Sequence, residues 1–596
     1  MKNFYIFTLF LLYSFSVLAD DDLLNVVITP TRFEQKIDKT NSFVTVITEK
    51  QIKDSSATNL VDFLSSQSSL SIASTGGVGS KPSYFLRGFA KKYIKITVDG
   101  LDISDPTGTQ SETYLQDISL GNIKKIEILK SPQGAIHGGQ AGGGVIAITT
   151  KSAIYNGSET KQEVQFGSFN TFNSNIYHSY GKNNYKVSAN VNLYHTDGIS
   201  SGNKNNLNEE KDAYNYGSVT IKGQMKGSEN NVSFVYRDAS SKYEYDNWDK
   251  TDNHDFSKNN IQSGLVKFEF KTGNKTNHSL SYNPTRVNRR VASSYPSNQT
   301  SKQHKVEYIF KKKFDSEDLV AFGIEHKNVK YKTSSTREKR ESNAAFISSQ
   351  IKISDRSMLD LSIRKDYDQL YGEHNSYRTQ YGYNLTNNFK LKVSDGTGYR
   401  PPSLYEGNNL KSGVTKLKPE KTFNKEYGFD YRNIENALFL SGSYFESSIK
   451  DEIDYSGGYF QGTGETDIEG YEISVLKFMS PNLTGQFSYT MTDSDKSNGN
   501  KGALVPMHKL SSKFDYKIND KINNQVELIY QERAYDTSGN ELPAFSLVNY
   551  NLNYKINDNL KSNLKLNNIL DQDYEVNRDY GTPGISIYAG VESEYW

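Results

Sequence analysis

The chain of 596 residues contains no cysteine, so thiol chemistry and disulfide staples are both excluded. It has only 13 prolines, and apart from its first twenty residues it has no apolar run long enough to cross a bilayer as a helix. Charge of one sign is missing too. The 70 basic and 69 acidic residues leave a net charge of +1, so no global field favours nucleic acid. No H-E-x-x-H, G-x-S-x-G or other spaced catalytic constellation is present among the nine histidines and the serines, and no enzymatic activity is expected. "GGGVIA" at 142–147 satisfies a dinucleotide pattern, but the following "VIAITTK" reads as strand where that pattern requires a helix.

What is present is aromatic and alternating. There are 42 tyrosines and 30 phenylalanines in a chain whose mean hydropathy is −0.69. The first residues, "MKNFYIFTLFLLYSFSVLAD", have a lysine, an apolar core and small residues ending at Ala19. That is the layout of a secretory signal peptide over 1–19. A membrane-anchoring helix is the weaker alternative, because the core is short and no stop-transfer charges follow.

From about residue 153 the texture is period two. In "YKVSANVNLYH", Tyr185, Val187, Ala189, Val191 and Leu193 alternate with polar residues, and "NVSFVYR" and "LVKFEFK" repeat the pattern. Polar connectors such as "GNKNNLNEEKD" separate these runs. The stretch accommodates 22 strands of about ten residues with about 11 left per connection, and 16 strands would also fit. Residues 35–152 differ. "TEKQIKDSSATNLVDFLSSQ" reads as helix-bearing, with Ile52, Leu60, Val61 and Leu64 near helical spacing, while "YIKITVDG" and "IKKIEILKSP" read as strands. This part is expected to be a compact α+β domain.

Between leader and domain stands "NVVITPTRFEQ", a strand-prone run stopped at once by Pro30, with nothing nearby to supply a hairpin partner. An isolated short strand suits β-augmentation of another protein's sheet edge, and it also suits an ordinary first strand of the domain that follows.

Five stretches carry a resemblance. "FLRGFAKKYIKITVDGLDI", "IKKIEILKSPQGAIHGGQAGGGVIAITTKS", "GTGYRPPSLYEG", "LKPEKTFNKEYG" and "NNILDQDYE" are similar, in the same order, to motifs of the TonB-dependent outer-membrane receptors. "TRFEQ", "STGGVGSKPSYFLRG" and "DYGTPGISIYAG" resemble the cobalamin-transporting members in particular. The resemblance implies a transmembrane antiparallel β-barrel of 22 strands over 153–596, its lumen filled by an N-terminal α+β plug over 35–152. It also implies a periplasmic tether over 20–34 and a location in the outer membrane of a Gram-negative bacterium.

The tether strand is then a Ton box, with Val26, Val27, Ile28, Thr29 and Pro30 as the segment gripped by TonB. Ligand contacts are expected from the plug's apical loops, at Thr75, Val78, Ser80, Pro106 and Thr107. Structural calcium is expected from loop carboxylates at Asp197, Asp212, Asp246 and Asp255, since calcium collects six to eight oxygens from flexible loops. No catalytic cofactor is implied. The expected partners are TonB with its inner-membrane complex, outer-membrane lipid, and cobalamin or another small ligand, with the receptor a monomer.

A ferric-siderophore receptor shares every one of these motifs and differs only in ligand. A passive porin would have no use for a plug and tether, and a soluble secreted β protein would leave the membrane without detergent. Two residues depart from the family pattern: Ser131 stands where glycine is usual, and His137 where tyrosine is usual. The terminal Trp596 is also out of phase with Ile585, Ile587, Ala589, Val591 and Tyr595, which leaves the register of the last strand open.

Overall fold

The structure is a computed structural model describing residues 27–28, 33, 35–37, 39–202, 210–246, 255–496 and 499–596. The leader, and Val26, Thr29 and Pro30 of the tether, lie outside the described residues.

The period-two segments become strands of a closed, wholly antiparallel barrel of 22 strands. Its first strand, Gly157–Gly167, closes on its last, Ser586–Tyr595, with Thr160 opposite Tyr595 and Gly167 opposite Tyr588. Closure leaves no free edge, which a sheet in lipid requires because no water is there to satisfy unpaired backbone groups. The sense of the alternation is inverted relative to a soluble sandwich. Val187, Val191 and Leu193 are exposed on the outside while Ser188, Asn190 and Asn192 are buried inside. Val232, Phe234, Val266 and Phe268 stand outside likewise. An apolar face pointing away from the protein needs lipid against it.

The last strand's register is now fixed. Ile587, Ala589, Val591 and Tyr595 share the outer face, and Trp596 lies one residue past the last paired position. It is therefore free of the alternation.

Inside the barrel, the plug is a five-stranded sheet of β1 (Val44–Thr48), β2 (Ile94–Val98), β3 (Leu101–Asp102), β4 (Ile123–Lys130) and β5 (Gly144–Thr150), in the order β1-β4-β5-β2-β3. β5 runs parallel to β2 and antiparallel to β4. The helix-bearing segment divides into α1 (Glu49–Asp54) and α2 (Leu60–Ser65). A reciprocal capping box starts α1: the Thr48 hydroxyl accepts from the Gln51 N–H at 3.3 Å, and the Gln51 side chain accepts from the Thr48 N–H at 3.0 Å. Asn59 caps α2 by accepting from the Asp62 N–H at 3.0 Å. Leu60 and Leu64 then turn into a plug core with Ile96, Ile126, Ile146 and Ile148.

The tether departs from expectation. Val27–Ile28 pairs antiparallel with Gln35–Lys36, so the short strand does have a local hairpin partner. Gln35 and Lys36 themselves carry little strand propensity, which is why the partner is invisible in sequence. Beside it, Phe33 is buried against Ile309, Ala321 and Phe346 on the inner barrel wall, fixing the tether there.

Candidate functional site

The plug and barrel meet along two unlike contacts. On one side the contact is ionic and dry. Arg87 of the plug donates from Nη1 to Glu426 at 2.6 Å and from Nε to Glu472 at 2.8 Å, and all three side chains are nearly or fully buried. Lys130 also pairs with Glu472, and Lys92 reaches Glu420 at 2.8 Å. Removing one member of such a buried set strands the others, at a cost of about 3–5 kcal/mol.

Ser131 belongs to this contact. Its φ is +73°, the left-handed region where glycine is free and serine is strained, and its hydroxyl donates to Glu426. Ser131 thus exchanges backbone strain for a bond to the barrel. His137 ends the short helix Gly134–His137, where its carbonyl accepts from Lys95 at 2.8 Å.

The contact next to it along the wall is more open. A cavity of about 1380 Å³ opens between the periplasmic half of the plug, including α1, and the wall that carries Lys513, Lys565 and Glu592. The plug is tied across it by Lys53–Glu592 at 2.7 Å and by Asn551 donating to the Asp54 carbonyl at 2.9 Å.

At the extracellular end, the plug's apical loop presses on the barrel through its glycines. Gly76 has φ +122°, and a Cβ there would come within 2.6 Å of the Ser201 hydroxyl. Gly79, at φ +95°, lies against the Tyr214 ring, whose hydroxyl donates to the Gln116 carbonyl at 2.7 Å. Val78 packs on Tyr194, Tyr214 and Tyr216. The enclosed space there is only about 130 Å³, room for a few waters and too small for a large ligand.

Of the expected ligand contacts, Thr75 and Val78 are half-buried, whereas Ser80, Pro106 and Thr107 are buried. Ser80 donates to the Gly76 carbonyl and Thr107 to the Asp105 carboxylate, so in this arrangement both hold their own loops in shape. Arg289 braces the second loop, donating to the Thr107 carbonyl at 3.0 Å and lying 3.7 Å from Asp105.

The barrel loop that covers Gly76 is pinned by carboxylates. Asp212 accepts from the Ser201 N–H at 2.6 Å and Asp246 from the Gly202 N–H at 2.8 Å. Ligand atoms of Glu210, Asp212 and Asp246 all lie within 4.8 Å of one another. Burial pushes Asp212 up to about 6. Burial and the neighbouring Asp246 push Glu210 up to about 7.

Three acids crowded this closely, two of them reluctant to lose their protons, fit a divalent cation, which supplies the missing positive charge. Two of the four expected metal residues, Asp212 and Asp246, are therefore brought together, and Glu210 joins them. Asp197 is half-exposed beside His195 at 3.2 Å, and Asp255 opens its strand opposite Tyr245; both lie outside the group. Glu210 sits in the same acidic loop in sequence, but nothing in that run distinguishes it from Glu209.

This is the architecture of an outer-membrane receptor whose barrel is closed by a plug. Residues 36–145 match the family model for the TonB-dependent receptor plug domain, and 147–569 match that for the TonB-dependent receptor-like β-barrel. The chain belongs to the TonB-dependent receptors of the Gram-negative outer membrane, a family of receptors and transporters rather than enzymes.

Among curated proteins it is similar to the vitamin B12 transporter BtuB of Photobacterium profundum, 24% identical over 96% of each chain. It is likewise similar to that of Vibrio vulnificus strain YJ016, 25% identical over 93% of this chain and 92% of the other. Among solved structures it superposes on the siderophore receptor PirA of Acinetobacter baumannii with a TM-score of 0.80. That pair is 16% identical, over 93% of this chain and 98% of the other. The ferric-catecholate import receptor Fiu of E. coli K12 gives a TM-score of 0.78 at 17% identity, over 94% and 98%.

Proposed function

We propose that this receptor captures cobalamin at the cell surface and imports it when TonB pulls on the tether at residues 26–30. The observation that carries the reading is the Glu210, Asp212, Asp246 group, which a calcium ion would bridge while it holds the loop at Ser201–Gly202 against the plug's apical glycines. Likeness to the curated vitamin B12 transporters over nearly the whole chain supports it. The solved siderophore receptors, at 17% identity or less, share the fold.

Lumenal cations also favour a neutral ligand over an anionic siderophore. Arg289 is already engaged with Asp105, Arg340 with Asp368 at 2.7 Å, and Arg400 with Glu406 at 2.8 Å. In operation, a monomeric receptor binds ligand above the closed plug. Force on Val27–Ile28 separates a two-residue ladder, withdraws Phe33 from its pocket and reaches β1 and α1, beside the large cavity.

The deciding experiment is cobalamin binding to the detergent-purified receptor, with calcium and then with chelator. Tight binding weakened by chelation supports both parts. Binding indifferent to chelation keeps the ligand and removes the metal. Absence of binding in both buffers hands the site to the siderophore reading.

A further inference from the structure

One edge of the plug sheet is unpaired. It is formed by β1, the outermost strand in the order β1-β4-β5-β2-β3. β1 runs antiparallel to β4, with Val44 opposite Leu129 and Val46 opposite Glu127, and the Lys130 N–H donates to the Phe43 carbonyl at 2.9 Å. In an antiparallel ladder, residues that bond the neighbour alternate with residues that face away from it. Phe43, Thr45 and Ile47 therefore turn their main-chain groups to β4, while Val44 and Val46 turn theirs outward. Among the described residues no hydrogen bond reaches the Val44 or Val46 main chain from that side.

Beyond that edge lies space. Residues 45–48 line the cavity of about 1380 Å³, and Val44 lines a smaller one of about 170 Å³ beside it. Leu476 and Phe478, near the end of the strand Glu465–Ser480, line both and give the far side an apolar surface. The short turn at 481–482 borders the larger cavity, which places it at the periplasmic end. A strand takes up about 3.3 Å by 4.8 Å by 10 Å per residue, about 160 Å³, so that cavity has room for roughly eight residues.

The charge left over in the lining is positive. Asp54, Asp520 and Glu592 are each held by a lysine at 2.7 Å. Lys124, Lys521 and Lys561 are exposed and form no ion pair among the described residues. Outward main-chain groups, an apolar wall and uncompensated lysines thus share one periplasmic groove.

We propose that β1 is a docking edge for an extended, acidic segment of a periplasmic protein. The segment adds a strand to the plug sheet by bonding to Val44 and Val46. It lies between β1 and the wall at Leu476 and Phe478, with its carboxylates beside Lys124, Lys521 and Lys561. This edge is separate from the tether strand at 27–28, which is paired with 35–36. One consequence rests on the proposed function: tension on the tether would draw β1 from the sheet and dismantle the edge. The partner is then held by the resting receptor and released by the pulled one.

The test uses the whole receptor in nonionic detergent and a fluorescent peptide that alternates threonine and valine, with glutamates at both ends. One control peptide has lysines at its ends. Another is N-methylated throughout and has no main-chain donor to offer. The receptor variants are Val46→Pro and the triple Lys124→Gln/Lys521→Gln/Lys561→Gln. Proline is tolerated on an edge strand, and at residue 46 it removes an outward donor without removing a bond to β4. The native receptor should bind the glutamate peptide and neither control. Val46→Pro should bind it roughly tenfold more weakly, the worth of about one main-chain hydrogen bond. The triple variant should also lose affinity, and added salt should weaken the native receptor far more than the triple variant.

Equal affinity of Val46→Pro and native receptors, or retention of the N-methylated peptide, would overturn the docking edge. Equal binding of the lysine-ended and glutamate-ended peptides would overturn the acidic partner. A Val27→Pro receptor should bind the peptide as the native one does; loss of binding there would move the peptide to the tether and sink the assignment to β1. Should Val46→Pro fail to fold, the N-methylated peptide and the triple variant carry the test. Neither cobalamin nor calcium enters the assay, so its failure and a failure of the proposed import function are told apart.

Discussion

At residue scale, Ser131 and the loop acids show how chemistry departs from what residue type suggests. Ser131 holds a positive φ at a cost of about 1 kcal/mol, set against a hydrogen bond to a buried carboxylate worth about 1.5–3 kcal/mol. Thermal unfolding should therefore rank native above Ser131→Gly, and Ser131→Gly above Ser131→Ala, which keeps the strain and loses the bond. A glycine variant more stable than native would show that the strain outweighs the Glu426 contact.

Glu210 and Asp212 have folded-state pKa values raised to about 7 and about 6, from ordinary values of 4.5 and 3.8. Between those limits the folded loop binds more protons than the unfolded chain. Its stability therefore falls as pH rises from about 4 to about 7 when no cation is present. Proteolytic cleavage between Gly202 and Glu210 should accelerate across that range in chelator. Millimolar calcium should cancel the trend, and Asp246→Asn should abolish the calcium protection; equal cleavage with and without calcium would remove the cation from this site. The acid-rich loops were legible in sequence, but Asp197 was indistinguishable from Asp212 there. Only the pairing of distant strands selects which carboxylates converge.

At the scale of elements, alternation was the most legible signal, because period two survives wherever one face meets lipid and the other meets polar plug and wall. The barrel strands at 185–196, 230–245 and 255–271 all follow it. The tether hairpin was not legible, since two residues of weak propensity pair only because the chain returns on itself.

That element carries a prediction. Val27→Pro removes a ladder donor from the segment assigned to TonB, so uptake should be lost while surface binding of ligand is unchanged. Persistent uptake would show that TonB grips elsewhere. Phe33→Ala should act in the opposite sense, leaving binding intact and making the tether more accessible to protease, since it empties the pocket at Ile309, Ala321 and Phe346. Unchanged protease access would remove Phe33 as the latch.

At the scale of the whole molecule, the plug is held unevenly: a dry ionic contact around Glu426 and Glu472 gives way, further along the barrel wall, to a cavity of about 1380 Å³. On the proposed function, force applied through the tether would pass through β1 and α1 to the more open side first. The native chain has no cysteine, so a Lys53→Cys/Glu592→Cys receptor can be bridged with a short bismaleimide without background reaction. The bridged receptor should bind ligand normally and transport none, and reversal by a cleavable linker should restore transport. Transport through the permanently bridged form would place the passage along another wall.

Composition and periodicity by themselves determined an α+β segment followed by a long run of half-apolar strands, because these are properties of the chain that no packing alters; the resemblance of five motifs supplied the plugged outer-membrane barrel. Tertiary structure decided the rest. It set the number of strands and the register of the last one, which depend on closure. It also decided which of the loop acids gather, why a serine stands at a left-handed position, and where the plug sheet keeps an open edge. Each of those depends on contacts between residues from about ten to several hundred positions apart, and no local pattern in the chain encodes such a distance.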